Sequence, residues 1–236
     1  YGCTKMTYPN SNIGDWDVSN ITNMAWMFCK ASNFNKNISN WNVGKVTNMA
    51  NMFAGAAKFN QPLNSWNVSK VNTMAYMFAE ATAFNQPLNN WVVSNVLDMT
   101  SMFLRATSFN QELGNWDVSH VVKMQYMFNG AVAFTSDLKD WNVGNVMNMS
   151  AMFLNAQNFN SDLSRWDVKN VTDMASTFQK AVKFRSDLKN WNVSKVTNMS
   201  NMFFGCTLFE SDLRNWNVER VTNMHGMFTG CSKFDS

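Results

Sequence analysis

The side chains able to do chemistry in this sequence are few and dispersed. There are two histidines, His120 and His225, which fall on different repeat positions about four repeat lengths apart. Catalysis by nucleophile, base and orienting group needs such residues to converge, and no convergent set is visible, so the chain is read as not an enzyme. Carboxylates occur as a series, Glu112, Asp137, Asp162, Asp187 and Asp212, one every 25 residues. Stacked at strand spacing, such carboxylates repel one another. Lys139, Lys189 and Arg214 stand two places on and can compensate them as surface ion pairs. Calcium held by the carboxylates is the lesser alternative. The four cysteines, Cys3, Cys29, Cys206 and Cys231, avoid the central part of the chain. Cys206 and Cys231 share one repeat position. They are either small core residues replacing alanine or, with Cys3 and Cys29 at the other end, disulfides that staple the array. Bridges suit an oxidising compartment and need Cα atoms within about 7 Å. No Cys-x-x-Cys pair or nearby histidine completes a metal site. Neither a metal nor a cofactor is expected.

A repeating frame positions those residues. Tryptophan recurs at 16, 41, 66, 91, 116, 141, 166, 191 and 216, always 25 apart. A fixed period in the range of 20–50 residues is the mark of stacked supersecondary units. From Trp the repeat reads W-N-V-S-x-V-T-N-M-x-x-M-F-x-x-A-x-x-F-N-x-x-L-x-x. Its apolar places are Trp, two Val, two Met, two Phe, Ala and Leu, and the one polar exception among them is Thr177. Such columns form the core of a solenoid, each coil burying its face on the next. Repetition also accounts for 19 Met and 19 Phe in 236 residues.

Two periodicities follow one another within each repeat. Leu213, Trp216 and Val218 have the spacing of a short strand, and Met224, Met227, Phe228, Cys231 and Phe234 recur at three and four, as on a short helix. The expected fold class is α/β, a leucine-rich-repeat-like solenoid with parallel strands on one face and short helices on the other. Residues 1–236 are expected to form one domain of about nine repeats, with 1–15 a degenerate N-terminal cap. Charge is sparse and balanced, 19 basic against 16 acidic residues. No basic stripe suggests nucleic acid, and no apolar run approaches the ~18 residues of a membrane span. No signal peptide is visible, and the chain starts at Tyr1, so a processed or excised protein is expected.

Outward positions of the strand carry columns of small polar residues. One holds Asn42, Asn67, Val92, Asp117, Asn142 and Asp167. Either these amides and carboxylates satisfy one another and water, or they form an extended binding face. The threonine column (Thr22, Thr47, Thr172, Thr197, Thr222) is interrupted by Leu97, Val122 and Met147 on three consecutive repeats. An exposed apolar patch can mark a partner site; the alternative is drift of the repeat into a partly buried groove. The same interruption argues against an ice-binding threonine array.

The block from Leu88 to Gln111, L-N-N-W-V-V-S-N-V-L-D-M-T-S-M-F-L-R-A-T-S-F-N-Q, and the F-N-Q-P-L-N-x-W segments at Phe59 and Phe84 resemble the BspA-like leucine-rich repeat family. That resemblance covers residues 13–236. It implies a leucine-rich-repeat arc on the surface of bacteria or protists, with adhesion to a host or matrix as the role. Ordinary leucine-rich repeats keep an Asn after the strand, whereas Val46 and Val71 stand there in this chain. The amide ladder falls instead to Asn35, Asn60, Asn85, Asn110 and Asn160. The resulting expectation is a non-catalytic cell-surface or extracellular module that binds a protein partner through the strand face. A structural spacer or assembly scaffold, or a glycan-binding repeat protein, is the alternative.

Overall fold

The computed structural model describes residues 12–235. A 3-10 turn at Ile13–Asp15, capped by the Asn12 side chain, leads into nine stacked coils of 25 residues. Adjacent coils are joined by parallel bridges, one per interface, running from Asn23↔Asn48 to Asn198↔Asn223.

The coil at residues 41–65 shows how each turn is made. The Asn42 side chain accepts a hydrogen bond from Gly44 N–H, an Asx-turn that bends the chain after Trp41. Val46 N–H then closes on the Val43 carbonyl, and Thr47 N–H reaches back to the Thr22 carbonyl of the preceding coil. Beyond the bridge the direction reverses. Met49, Asn51, Phe53 and Gly55 donate to carbonyls of the next coil, those of Thr73, Ala75, Met77 and Ala79. Between them, Met52, Ala54 and Ala56 donate three residues back, to Met49, Asn51 and Phe53. Every second amide is spent within the coil and every other one between coils, so the buried backbone is paired throughout this segment.

This segment was expected to be the short helix, and the structure corrects that reading. Among the described residues there is no α-helix and no extended strand; the bridges are single-residue contacts at the Asn23 column, not in the Trp-x-Val segment. Two positions per coil are left-handed. One is occupied by Trp26, Asn51, Tyr76, Ser101, Tyr126, Ala151, Ser176, Asn201 and Gly226, the other by Lys30, Gly55, Glu80, Arg105, Gly130, Asn155, Lys180, Gly205 and Gly230. Successive i→i−3 turns place apolar residues three and four apart, as a helix does. Spacing alone does not separate the two.

The core explains why turns win. Equivalent rings stack between coils with centroids 5.5 Å apart for Phe28 and Phe53 and 5.8 Å for Phe203 and Phe228. Helices pack at about 8–10 Å, too far apart for one ring per coil to stack on its equivalent. Within a coil the two phenylalanines also stack, Phe53 on Phe59 at 4.0 Å. Tryptophan rings lie further apart, 6.4 Å between Trp41 and Trp66 and 6.5 Å between Trp166 and Trp191. The coils therefore sit closer at the turn ladder and fan open towards the tryptophan side. All nine apolar columns point inward in the central coils, where their side chains are buried.

Candidate functional site

Polar pairing inside the array accounts for most of the side chains with chemical potential. Each indole Nε1–H from Trp41 to Trp216 donates to a carbonyl of the preceding coil, as from Trp116 to Leu88 at 3.1 Å and from Trp141 to Leu113 at 3.0 Å. Thr177, the polar exception in the core, donates its hydroxyl to the Met174 and Met149 carbonyls. The amide ladder is present: Asn35, Asn60 and Asn85 accept from the backbone N–H of Asn60, Asn85 and Asn110, and Asn160 accepts from Arg185.

The carboxylate column is paired rather than poised. Asp137 meets Lys139 at 3.3 Å, Asp187 meets Lys189 at 3.3 Å and Asp212 meets Arg214 at 2.7 Å. Ser161 and Ser211 donate to Asp137 and Asp187 of the preceding coil while accepting the Leu138 and Leu188 amides. Hydrogen bonds from the Arg214 side chain and backbone hold the Asp212 carboxyl down at about 2. The Lys189 backbone N–H lowers Asp187, and the Ser164 backbone N–H lowers Asp162. Among the described residues no group of three or more His, Cys, Asp or Glu side chains is placed to hold a metal ion.

Cys29, Cys206 and Cys231 are free thiols, and Cys3 lies outside the described residues. Cys206 and Cys231 do not form the bridge that is one of the two readings of their shared repeat position. Each thiol donates instead to a carbonyl of the preceding coil, Phe178 at 2.8 Å and Phe203 at 2.9 Å. Burial pushes both thiols above their ordinary value. Cys206 is buried in the core and Cys231 packs against it, as small residues replacing alanine in that column do.

The predicted binding residues sit on the surface but do different work. Asn42, Asn67, Asp117, Asn142 and Asp167 are exposed, and each accepts from the backbone N–H two residues on. They are turn formers first, with their remaining polar atoms facing outward. Val92, at the same position, is 56% exposed and makes no such turn bond among the described contacts. In the threonine column Thr47, Thr172, Thr197 and Thr222 donate a hydroxyl to the preceding coil beside the backbone N–H. Leu97, Val122 and Met147 keep the backbone bond at 2.9–3.0 Å and put a hydrocarbon where the hydroxyl would be. Leu97 is 51% and Met147 52% exposed, with Val122 half-buried between them. Val122 and Met147 line a shallow surface groove of about 490 Å³ together with His120, Asn145, Asn170, Thr172 and Lys195.

Another outward column lies on the turn ladder. Trp26, Tyr76 and Tyr126 project from its left-handed positions and are exposed. The signal was present in Trp26, the one tryptophan of ten that falls outside the 25-residue series.

Among the described residues no helix is long and apolar enough to cross a membrane. No curated protein matches the chain. Similar solved structures are the TLR13–ssRNA13 complex, a leucine-rich repeat protein from Bacteroides ovatus and an internalin from Listeria monocytogenes. The first is 10% identical with a TM-score of 0.35, and the match covers 92% of this chain and 37% of that one. For the second the values are 9%, 0.36, 91% and 69%, and for the third 9%, 0.27, 84% and 80%. The chain thus spans little over a third of the TLR13 chain it matches. A family model matches at residues 2–112, 88–189 and 158–236, which together span nearly all of the sequence, and the chain belongs to that family, described as Mycoplasma protein of unknown function, DUF285.

Proposed function

We propose that the chain is a non-catalytic binding module that recognises a protein partner through the outward columns of its central coils, at a cell surface. The observation that carries this reading is the row Leu97, Val122 and Met147, of which Leu97 and Met147 are about half exposed. These side chains lie outside every core column, on three coils joined directly by backbone hydrogen bonds. Stacking needs nothing of them, since threonine serves the same position elsewhere and adds a hydrogen bond. Their removal from water favours association. Around them, the amides of Asn145 and Asn170 and the His120 and Lys195 side chains supply a polar rim, the composition of a protein-binding patch. A surface location rests on the likeness of residues 88–111 to BspA-like surface proteins.

The test compares the wild-type chain with the Leu97→Thr/Val122→Thr/Met147→Thr variant. Both are immobilised and offered the same panels of surface and matrix proteins and of glycans. The variant restores the repeat consensus and is expected to fold with an unchanged or higher melting temperature. A protein retained by the wild type and weakened several-fold with the variant is the expected result. Equal capture by a folded variant, or binding to glycans alone, contradicts the reading.

A further inference from the structure

An exposed aromatic row runs along the turn ladder. Trp26, Tyr76 and Tyr126 are 61%, 39% and 42% exposed, with φ of 66°, 59° and 61°. A bulky side chain in the left-handed region is strained by about 1–2 kcal/mol. Asn51, Asn201 and Gly226 occupy the same position in other coils and tolerate that conformation far better. The sequence thus keeps aromatic rings where both backbone strain and solvent exposure oppose them. Ser101, Ala151 and Ser176 share that conformation, so what sets Trp26, Tyr76 and Tyr126 apart is the exposed ring.

The spacing identifies the shape of that ligand. The aromatic residues stand on alternate coils, with Asn51 and Ser101 between them. Two coil rises are about 10 Å, twice the ~4.8 Å separation of hydrogen-bonded chains. That is the repeat of two sugar rings in an extended β-1,4-linked glycan, in which every second ring presents the same face. Sugar rings pack their C–H faces on aromatic rings, and the tyrosine hydroxyls add polar ends.

Two further observations fix the polarity. Thr100 and Gln125 supply the carbonyls that anchor the Tyr76 and Ser101 amides, at 2.8 Å and 2.9 Å. The Thr100 hydroxyl and the Gln125 side-chain carbonyl are both buried without a hydrogen-bond partner, and Thr100 itself is only 8% exposed. Buried unpaired polar atoms are costly, and a shift of the flanking side chains that opened them would let a hydroxyl-rich ligand pair with both. The charges flanking this part of the row cancel: Arg105 pairs with Glu80 on one side and Lys123 with Asp98 on the other. No Asp, Glu, Lys or Arg occurs in the columns of Thr100 and Ser101. The strip matches a neutral ligand.

We propose that Trp26, Tyr76 and Tyr126 form a platform for a neutral, extended β-linked glycan lying along the solenoid axis. This site is separate from the groove at Met147, and neither proposal depends on the other.

Titration of the chain with cellohexaose and with chitohexaose tests it. Saturable binding of at least one of them is expected, with a change in tryptophan fluorescence from Trp26. The Trp26→Asn/Tyr76→Asn/Tyr126→Asn variant places a residue already used at this position, so it folds with an equal or higher melting temperature. It is expected to weaken binding by about tenfold or more. The Leu97→Thr/Val122→Thr/Met147→Thr variant should bind the hexasaccharide as the wild type does. Absence of binding of either hexasaccharide at millimolar concentration, or undiminished binding by the folded asparagine variant, overturns the proposal.

Discussion

Trp116 combines three roles in one side chain: its ring is buried, it stacks at 6.4 Å on Trp91, and its N–H closes on the Leu88 carbonyl. Trp116→Phe keeps an aromatic ring, removes the indole donor and leaves the Leu88 carbonyl with the Trp91 N–H alone. A loss of about 0.5–1.5 kcal/mol from the missing hydrogen bond is expected by denaturant unfolding. The carboxylate column makes its own prediction. Asp162, Asp187 and Asp212 are lowered in the folded chain from an ordinary value of 3.8, Asp212 to about 2. A depressed folded value means that the stabilisation is present above pH ~4 and is lost as pH falls towards ~2. Asp187→Asn should flatten this acid limb in a melting-temperature series, while a limb of unchanged slope would show that the column does not contribute. At this scale much was readable from spacing alone. The nine apolar columns, the Asn35 ladder and the ion pairs of Asp137, Asp187 and Asp212 all follow from stacking identical positions. The thiols of Cys206 and Cys231 were open to two readings because spacing places them on adjacent coils but does not reveal the carbonyls they meet.

The turn ladder is the element that the sequence concealed. Met24, Met27, Phe28, Ala31 and Phe34 have helical spacing, and nothing in a binary apolar pattern distinguishes a helix from a run of three-residue turns. The two left-handed columns make that distinction. One holds four glycines, Gly55, Gly130, Gly205 and Gly230, at φ of 70–78°, a composition unsuited to a helix interior. Gly130→Val should therefore be destabilising by about 1–2 kcal/mol through backbone strain, because the nearest atom to a new Cβ is the flexible Arg105 side chain at 3.2 Å, which can move aside. Lys180→Gly, at the same column, should raise the melting temperature by relieving that strain. If both variants melt with the wild type, the left-handed assignment is wrong.

Over the whole molecule, stability comes from repetition, and the interruptions carry the two binding surfaces proposed above. The core columns are fixed by their neighbours, so substitutions there are severe. Met124→Asp buries an unpaired charge and should cost several kcal/mol, whereas Lys123→Asp, on an exposed neighbour, should cost about 1 kcal/mol or less. The outward columns are free to vary, and both the Leu97 row and the Trp26 row exploit that freedom. The first was legible as a break in the threonine column; the second was hidden because only three of the nine residues at its repeat position are aromatic. Both placements depend on a solenoid whose coils are joined by turns and inter-coil hydrogen bonds rather than by helices. Far-UV circular dichroism of the folded chain measures this most directly. The account predicts a spectrum without the double minimum of α-helix, lost in the same thermal transition that exposes the tryptophans. A strong helical double minimum that melts with that transition would contradict it.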